Sequence, residues 1–188
     1  IPKIFEESGA VFVYATTEPE EALLLGGNTA TMWEGRVTQF GPTPTVYRQP
    51  VDATTARVFS DPPMNFLDIT KQGGTLTFGQ GHTAPATGPL ADLPDGIYIA
   101  GFRPNHVEIA QPAEGAVTFD TRLSVTELTG SETFVHLDYA DRKWVGLIHG
   151  VHDLKLGSAL PVYLDPRHIY IFSETGDLVA PASYALAA

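Results

Sequence analysis

The chain has 188 residues, 43% of them hydrophobic, with 22 acidic and 11 basic side chains and a formal net charge of −11. Nucleic acids and anionic membrane surfaces are therefore excluded as direct partners, because binding them requires clustered cations. The absence of cysteine excludes disulfides and thiolate chemistry. We expect no transmembrane helix, because no apolar run reaches about 18 residues, and no signal peptide.

Helix and strand signals alternate up to about residue 60. Residues 1–8 are predicted to be the end of a helix, and the continuous apolar run at 11–15 predicts a strand buried in a parallel sheet. Residues 18–25 predict a helix that ends at Gly26-Gly27. The remaining predictions are strands at 29–33 and 36–40, joined by a turn at Glu34-Gly35, and helices at 43–48 and 54–59.

After Pro63 the hydrophobic pattern changes to period two, which indicates short strands separated by glycine-containing turns. Several strands at this spacing are typical of a small barrel or sandwich. Residues 79–89 are the most loop-like stretch. The predicted strands are 75–78, 96–102, 118–128, 133–139, 144–148, 160–164 and 169–172.

The sequence contains no P-loop, no H-E-x-x-H, no C-x-x-C and no G-x-S-x-G motif. A candidate metal site consists of His149, His152 and Asp153, which lie close together after a predicted strand. The alternative is an exposed polar loop, which we favour because nothing supplies a fourth ligand or an outer shell.

Ser131, His136 and Asp138 are the residue types of a nucleophilic triad. His136 and Asp138 alternate along one predicted strand, so the alternative is that both point to solvent. The acidic residues of the helix at 18–25 could act as paired acids, but more often such residues favour the helix dipole. Chemistry alone therefore predicts no complete active site.

A resemblance covers residues 4–67. The stretch TMWEGRVTQFGPTPTVYRQP at 31–50 resembles the pattern hMxxGxhxQxGxPxxhYxxP, in which h is apolar, with Thr31 at the first apolar position and Thr43 at the first proline position, and PMNFL follows at 63–67. This part resembles the C-terminal end of the ATPase subunits of ABC transporters. The most similar branch contains the importers of sugars, polyols and glycerol phosphate, including the maltose transporter.

The resemblance continues through three further segments. They are GFRPNHVEI at 101–109, VTELTGSETFVHLDY at 125–139 and LDPRHIYIFSETGDLV at 164–179. It implies a mainly β fold, in which an OB-like β-barrel regulatory and dimerisation domain at 68–188 follows a short α/β remnant of a nucleotide-binding domain at 1–67. Arg103 is expected to be structural and to tie loops together through carbonyls or a carboxylate; the alternative is a ligand contact.

Two departures from the family pattern affect function. The chain lacks the Walker A lysine, the Walker B carboxylates and the signature motif, so it is expected to bind no cofactor and to hydrolyse no ATP by itself. Thr17 aligns with the family's switch histidine, which contacts the γ-phosphate and the attacking water, and a threonine cannot become cationic. The resemblance therefore suggests a degenerate ATP site, with no complete catalytic, cofactor-binding or metal site in this chain.

The resemblance implies that the parent subunit uses ATP and Mg²⁺ to power uptake of a sugar, polyol or glycerol-type solute. Its expected partners are a second ATPase subunit, identical or different, and membrane permease subunits. Its expected location is the cytoplasmic face of the inner membrane. The alternative is a sensor of small oxyanions or sugars, with candidate cationic groups at Arg103, Arg122, Arg142 and Arg167. An oligonucleotide-binding barrel is disfavoured by the acidic charge.

Overall fold

A computed structural model describes residues 10–110 and 115–186 of the chain. Short helices and one hairpin come first, in the order α1 (Pro19–Leu25), β1 (Asn28–Trp33), β2 (Arg36–Pro42), α2 (Thr43–Arg48) and α3 (Ala53–Val58). Ten strands and a last helix follow: β3 (Asn65–Gln72), β4 (Thr75–Phe78), β5 (His82–Pro85), β6 (Gly96–Phe102), β7 (Val117–Leu128), β8 (Glu132–Tyr139), β9 (Arg142–His149), β10 (Ala159–Leu164), β11 (Tyr170–Phe172), β12 (Leu178–Ala180) and α4 (Ser183–Leu186).

The elements from α1 to α3 form where the sequence predicts them. Pro19 lies in the first turn of α1, and Gly26, at φ 70°, ends that helix through its N–H, which donates to the Ala22 carbonyl. Strands β1 and β2 pair antiparallel across a tight turn in which Glu34 and Gly35 have φ of 47° and 76°. Two positive φ values are what the hairpin turn that matches strand twist requires.

The predicted buried strand at residues 11–15 is wrong. This segment is irregular, and the side chains of Val11 and Val13 are 94% and 93% exposed. A strand of a parallel sheet is stable only when neighbouring strands supply its hydrogen bonds and cover both faces. None of the described strands pairs with this segment. The predicted helix end at residues 1–8 lies outside the described residues.

Two antiparallel sheets form the second part of the chain. One has the strand order β10-β7-β8-β9 and the other the order β12-β11-β6-β3-β4-β5. They share one buried core and come together where β5 contacts β7 and where β3 contacts β9. This is a curled, small barrel-like arrangement, so the predicted mainly β fold class is confirmed.

Aromatic side chains fill the centre of this core. Trp144, 1% exposed, stacks on Tyr139 with the ring centroids 4.4 Å apart. Phe102 and Phe119 meet the Trp144 ring edge-on at 5.0 and 5.2 Å. The indole N–H donates to the carbonyl of Phe66 at 3.3 Å, so the one polar atom of Trp144 is satisfied. Such ring pairs each add about 0.5–1.5 kcal/mol beyond the burial of their area.

Three strands were not predicted: β3, β5 and β12. Strand β3 alternates between buried and exposed positions, but Asn65 and Lys71 occupy buried positions and hide the period-two pattern. Lys71 is tolerated there because its Nζ donates to the Gly73 carbonyl at 2.8 Å. Strand β5 lies within the stretch predicted to be most loop-like, and it exists because it pairs with β4.

The first part of the chain packs against the outer side of the larger sheet. A second buried cluster contains residues from α3, from the strands and from the C-terminal residues: Ala56, Met64, Tyr170, Phe172, Ala182 and Ala185. The predicted division between residues 67 and 68 falls inside β3, and a boundary just before Asn65 would keep that strand whole. The two-domain division itself stays a prediction.

In the described part of the chain no helix is long and apolar enough to cross a membrane.

Candidate functional site

Thr17 lies in the turn that leads into α1, and its side chain is exposed. Its hydroxyl donates to Glu18 Oε1 at 3.3 Å. The neighbouring Thr16 organises the turn: its hydroxyl accepts from the Glu18 N–H at 2.9 Å and donates to Glu21 Oε2 at 2.5 Å. The turn is therefore held by Thr16 and two glutamates, while Thr17 presents a neutral hydroxyl to solvent.

The candidate triad does not assemble. His136 Nε2 lies 2.8 Å from Glu127 Oε1, and Asp138 accepts from Lys143. Ser131 belongs to the exposed turn between β7 and β8, and no hydrogen bond joins its hydroxyl to His136. His136 and Asp138 thus have separate partners on the outer face of the sheet, as expected from their alternation along one strand.

The candidate metal ligands do not converge either. His152 Nε2 lies 2.9 Å from the main-chain carbonyl oxygen of His149, which orients one ring toward the backbone and not toward a shared ion. Within residues 10–110 and 115–186, no three side chains of the metal-binding types are grouped closely enough to hold an ion.

Arg103 has the structural role predicted from the sequence. Its side chain is 1% exposed, Nη1 donates to the Phe59 carbonyl at 3.1 Å, and Nη2 donates to the Tyr47 carbonyl at 2.5 Å. The guanidinium carbon also lies 3.7 Å from the centroid of the Tyr47 ring. Arg103 follows β6, so these contacts fasten the C-terminal ends of α2 and α3 to the larger sheet.

The other three arginines of the sensor alternative each have a partner of their own. Arg122 donates to the Gly157 carbonyl, Arg142 pairs with Asp68, and Arg167 makes a two-pronged contact with Asp165. The Arg167 contact lowers the pKa of the Asp165 carboxyl. Each of the four arginines therefore has different partners, and Arg103 is too deeply buried to meet a ligand.

Sequence reasoning missed a stacked pair of histidines. The rings of His106 and His168 lie 4.0 Å apart at 21°, and the Tyr184 ring meets both of them. Burial, followed by the neighbouring His168 and Arg103, lowers the pKa of His106 to about 4. The two histidines end two different 3-10 turns, Pro104–His106 and Pro166–His168, so no spacing rule predicts their contact.

Comparison with curated proteins shows relatives of one kind. A xylose/arabinose import ATP-binding protein of Haloferax volcanii is 29% identical over 91% of this chain and 46% of its own length. An sn-glycerol-3-phosphate import ATP-binding protein of Cupriavidus necator and a trehalose/maltose import ATP-binding protein of Thermococcus litoralis are each 27% identical, over 94% and 93% of this chain and 50% of their own lengths. The chain is a relative of ABC-importer ATP-binding subunits.

Within these relatives the chain aligns to the C-terminal region and spans about half of the full length. No protein-family model matches the chain. Among solved structures, the cytoplasmic molybdate-binding protein ModG, with molybdate bound, overlaps 58% of this chain and 95% of its own, with a TM-score of 0.44 and 14% identity.

Proposed function

We propose that this chain is the C-terminal regulatory and dimerisation part of an importer ATPase subunit, whose parent couples ATP hydrolysis to uptake of a sugar, polyol or glycerol-type solute. The observation that carries the proposal is similarity over more than nine-tenths of the chain to import ATP-binding proteins of three different solute classes. ATP and Mg²⁺ belong to the parent, since the phosphate-binding motifs are missing from this sequence. The parent would work at the cytoplasmic face of a membrane with permease subunits and a second ATPase subunit.

Exposed apolar side chains on the β1–β2 hairpin support this proposal. The side chains of Met32, Trp33, Val37 and Phe40 are 57%, 50%, 57% and 68% exposed. Several large apolar side chains left exposed on one hairpin suggest that another part of the parent covers them. The relatives are about twice as long as this chain, and we propose that the corresponding further residues of the parent cover the hairpin.

Dimerisation through the second part is tested by light scattering of this chain over a range of concentrations. We expect a species of twice the 20.2 kDa monomer, and we expect a Trp33→Ser variant to dimerise equally well, because the hairpin lies outside the proposed interface. Titration with an ATP analogue should show no micromolar binding. A strict monomer, a dimer abolished by Trp33→Ser, or micromolar ATP binding would contradict the proposal.

Thr17 gives a second test, in the parent subunit. If Thr17 occupies the position of the switch histidine, its neutral hydroxyl cannot supply the imidazole contact to the γ-phosphate and the attacking water. We expect Thr17→His to raise ATPase activity by about a hundredfold, the lower end of what a positioned proton-transfer group contributes. A Thr17→Asn variant, which adds size and polarity but no titrating ring, should leave the rate unchanged. No increase with Thr17→His would refute the degenerate-site idea.

A further inference from the structure

A cleft of about 370 Å³ opens at the surface between helix α3 and strands β3 and β9. Arg57, Arg142 and Lys143 lie around it, and Asn65 and Phe66 contribute to its wall. Three of the eleven basic side chains of a protein with a net charge of −11 therefore meet at one concave site. No sequence motif or relative's name points to this cleft.

The donors around the cleft outnumber the acceptors that face them. Arg57 makes no ion pair with a described residue; its guanidinium carbon lies 4.9 Å from the centroid of the Phe66 ring. Arg142 donates through Nη2 to Asp68, and Lys143 donates to Asp138. A guanidinium has five N–H donors and an ammonium has three, so most of these donors remain available to an added acceptor.

The wall of the cleft is fixed before any ligand arrives. Asn65 is 5% exposed, and its side chain makes two hydrogen bonds of 2.8 Å to the main chain of Val145, one in each direction. The carbonyl of Phe66 accepts the indole N–H of Trp144. Strand β9, which carries Arg142 and Lys143, is thus fixed against β3, and Phe66 provides an apolar surface beside these cations. A rigid wall lowers the entropic cost of binding.

We propose that this cleft binds a small organic anion, with its phosphate or carboxylate oxygens between Arg57 and Arg142 and its apolar part against Phe66. Planar guanidinium groups match the paired oxygens of both anions. The ligand is small because the cleft is small, and because the strongly negative surface repels polyanions at distances beyond the local cationic patch. The site does not depend on the ATPase relationship proposed above.

Titration of the isotope-labelled chain, followed by backbone and arginine Nε–H NMR signals at constant ionic strength, tests the site. The probes are inorganic phosphate, phenyl phosphate and benzoate, with benzyl alcohol as the uncharged control. We expect saturable shifts at Arg57, Asn65, Phe66 and Arg142, with a dissociation constant of about 10 mM or lower for one ring-bearing anion and weaker binding of inorganic phosphate. The tighter of phenyl phosphate and benzoate identifies the anionic group.

Two variants that each remove one positive charge distinguish a specific binding site from non-specific electrostatic attraction of the anion. Arg57→Gln should weaken binding of the preferred probe about tenfold, as expected for loss of a charged hydrogen-bonding partner. Arg36→Gln removes the same charge from the exposed start of β2 and should leave affinity unchanged. The proposal is overturned if no anion saturates, if benzyl alcohol binds as well, if the shifts scatter over the surface, or if the two variants behave alike.

Discussion

Replacement of Arg103 by alanine is expected to lower the free energy of unfolding by about 3 kcal/mol. The substitution leaves the carbonyls of Tyr47 and Phe59 without their donor, removes the cation from the Tyr47 ring and opens a cavity at a 1% exposed position. The loss is not larger, because Arg103 Nε is itself buried without a hydrogen-bond partner in the described part of the chain, so the native guanidinium is incompletely satisfied.

Chemical denaturation of the wild type and three variants measures this effect. Arg103→Lys keeps the charge but loses the planar fork, so it should recover only part of the stability. Arg122→Ala is the matched control, because Arg122 also donates to a main-chain carbonyl but from an exposed position, and it should cost less than about 1 kcal/mol. Equal losses of unfolding free energy for Arg103→Ala and Arg122→Ala would contradict the prediction, because burial of Arg103 would then add nothing to its effect on stability.

The sequence predicted that Arg103 ties loops together through carbonyls or a carboxylate, and it left the acceptors open. In the structure the acceptors are the main-chain carbonyls of Phe59 and Tyr47. Tyr47, however, lies 56 positions away in the sequence, and no local rule connects the two. The packing of α2 and α3 against the larger sheet brings them together, and that packing depends on long-range contacts.

Strand prediction succeeded where one face of a strand is uniformly apolar and failed where pairing decides the structure. Strand β4 shows the first case, since Leu76 and Phe78 alternate with threonines and its predicted bounds are those observed. The segment at 11–15 shows the second: it is apolar enough for a buried strand, yet it has no pairing with the described strands. Hydrophobicity favours burial of a segment, but a buried strand also needs neighbouring strands that supply its hydrogen bonds.

The candidate sites show the same contrast between local patterns, which the sequence reveals, and long-range contacts, which it does not. Alternation along β8 was enough to predict that His136 and Asp138 lie on one face, and in the structure each has its own partner, Glu127 for His136 and Lys143 for Asp138. The cationic cleft was not predicted, because Arg57 lies on α3 while Arg142 and Lys143 begin β9. Only the folded arrangement reveals that these three charges share a site.

The stacked pair of His106 and His168 is expected to make the chain lose stability as the pH falls from about 6.5 toward 4. Burial lowers the pKa of His106 from 6.5 to about 4, with further lowering by His168 and Arg103 and an opposing effect of Asp165. The pKa of His168 is lowered by burial as well. The unfolded chain therefore binds protons in this range that the folded chain does not, so stability present above pH 6.5 is lost on acidification.

The geometry explains why the folded state resists protonation. His106 Nε2 and His168 Nδ1 are buried and have no hydrogen-bond partner among the described residues, so an added proton would create an unsatisfied buried N–H. Two cationic rings stacked at 4.0 Å would also repel each other. The lowered pKa of His106, discounted for the partial exposure of this side chain, corresponds to about 2 kcal/mol in the free energy of unfolding.

A His106→Gln variant tests this origin, because glutamine cannot be protonated at these pH values. Denaturation curves between pH 7 and 4 measure the loss of stability in both proteins. The loss should be about 2 kcal/mol smaller for this variant than for the wild type, and the remaining loss, caused by protonation of carboxylates, should be common to both. His149→Gln removes an exposed histidine and should retain the full wild-type loss. If His106→Gln and the wild type lose stability in parallel, the pH dependence does not come from the stacked pair, and the carboxylates alone account for it.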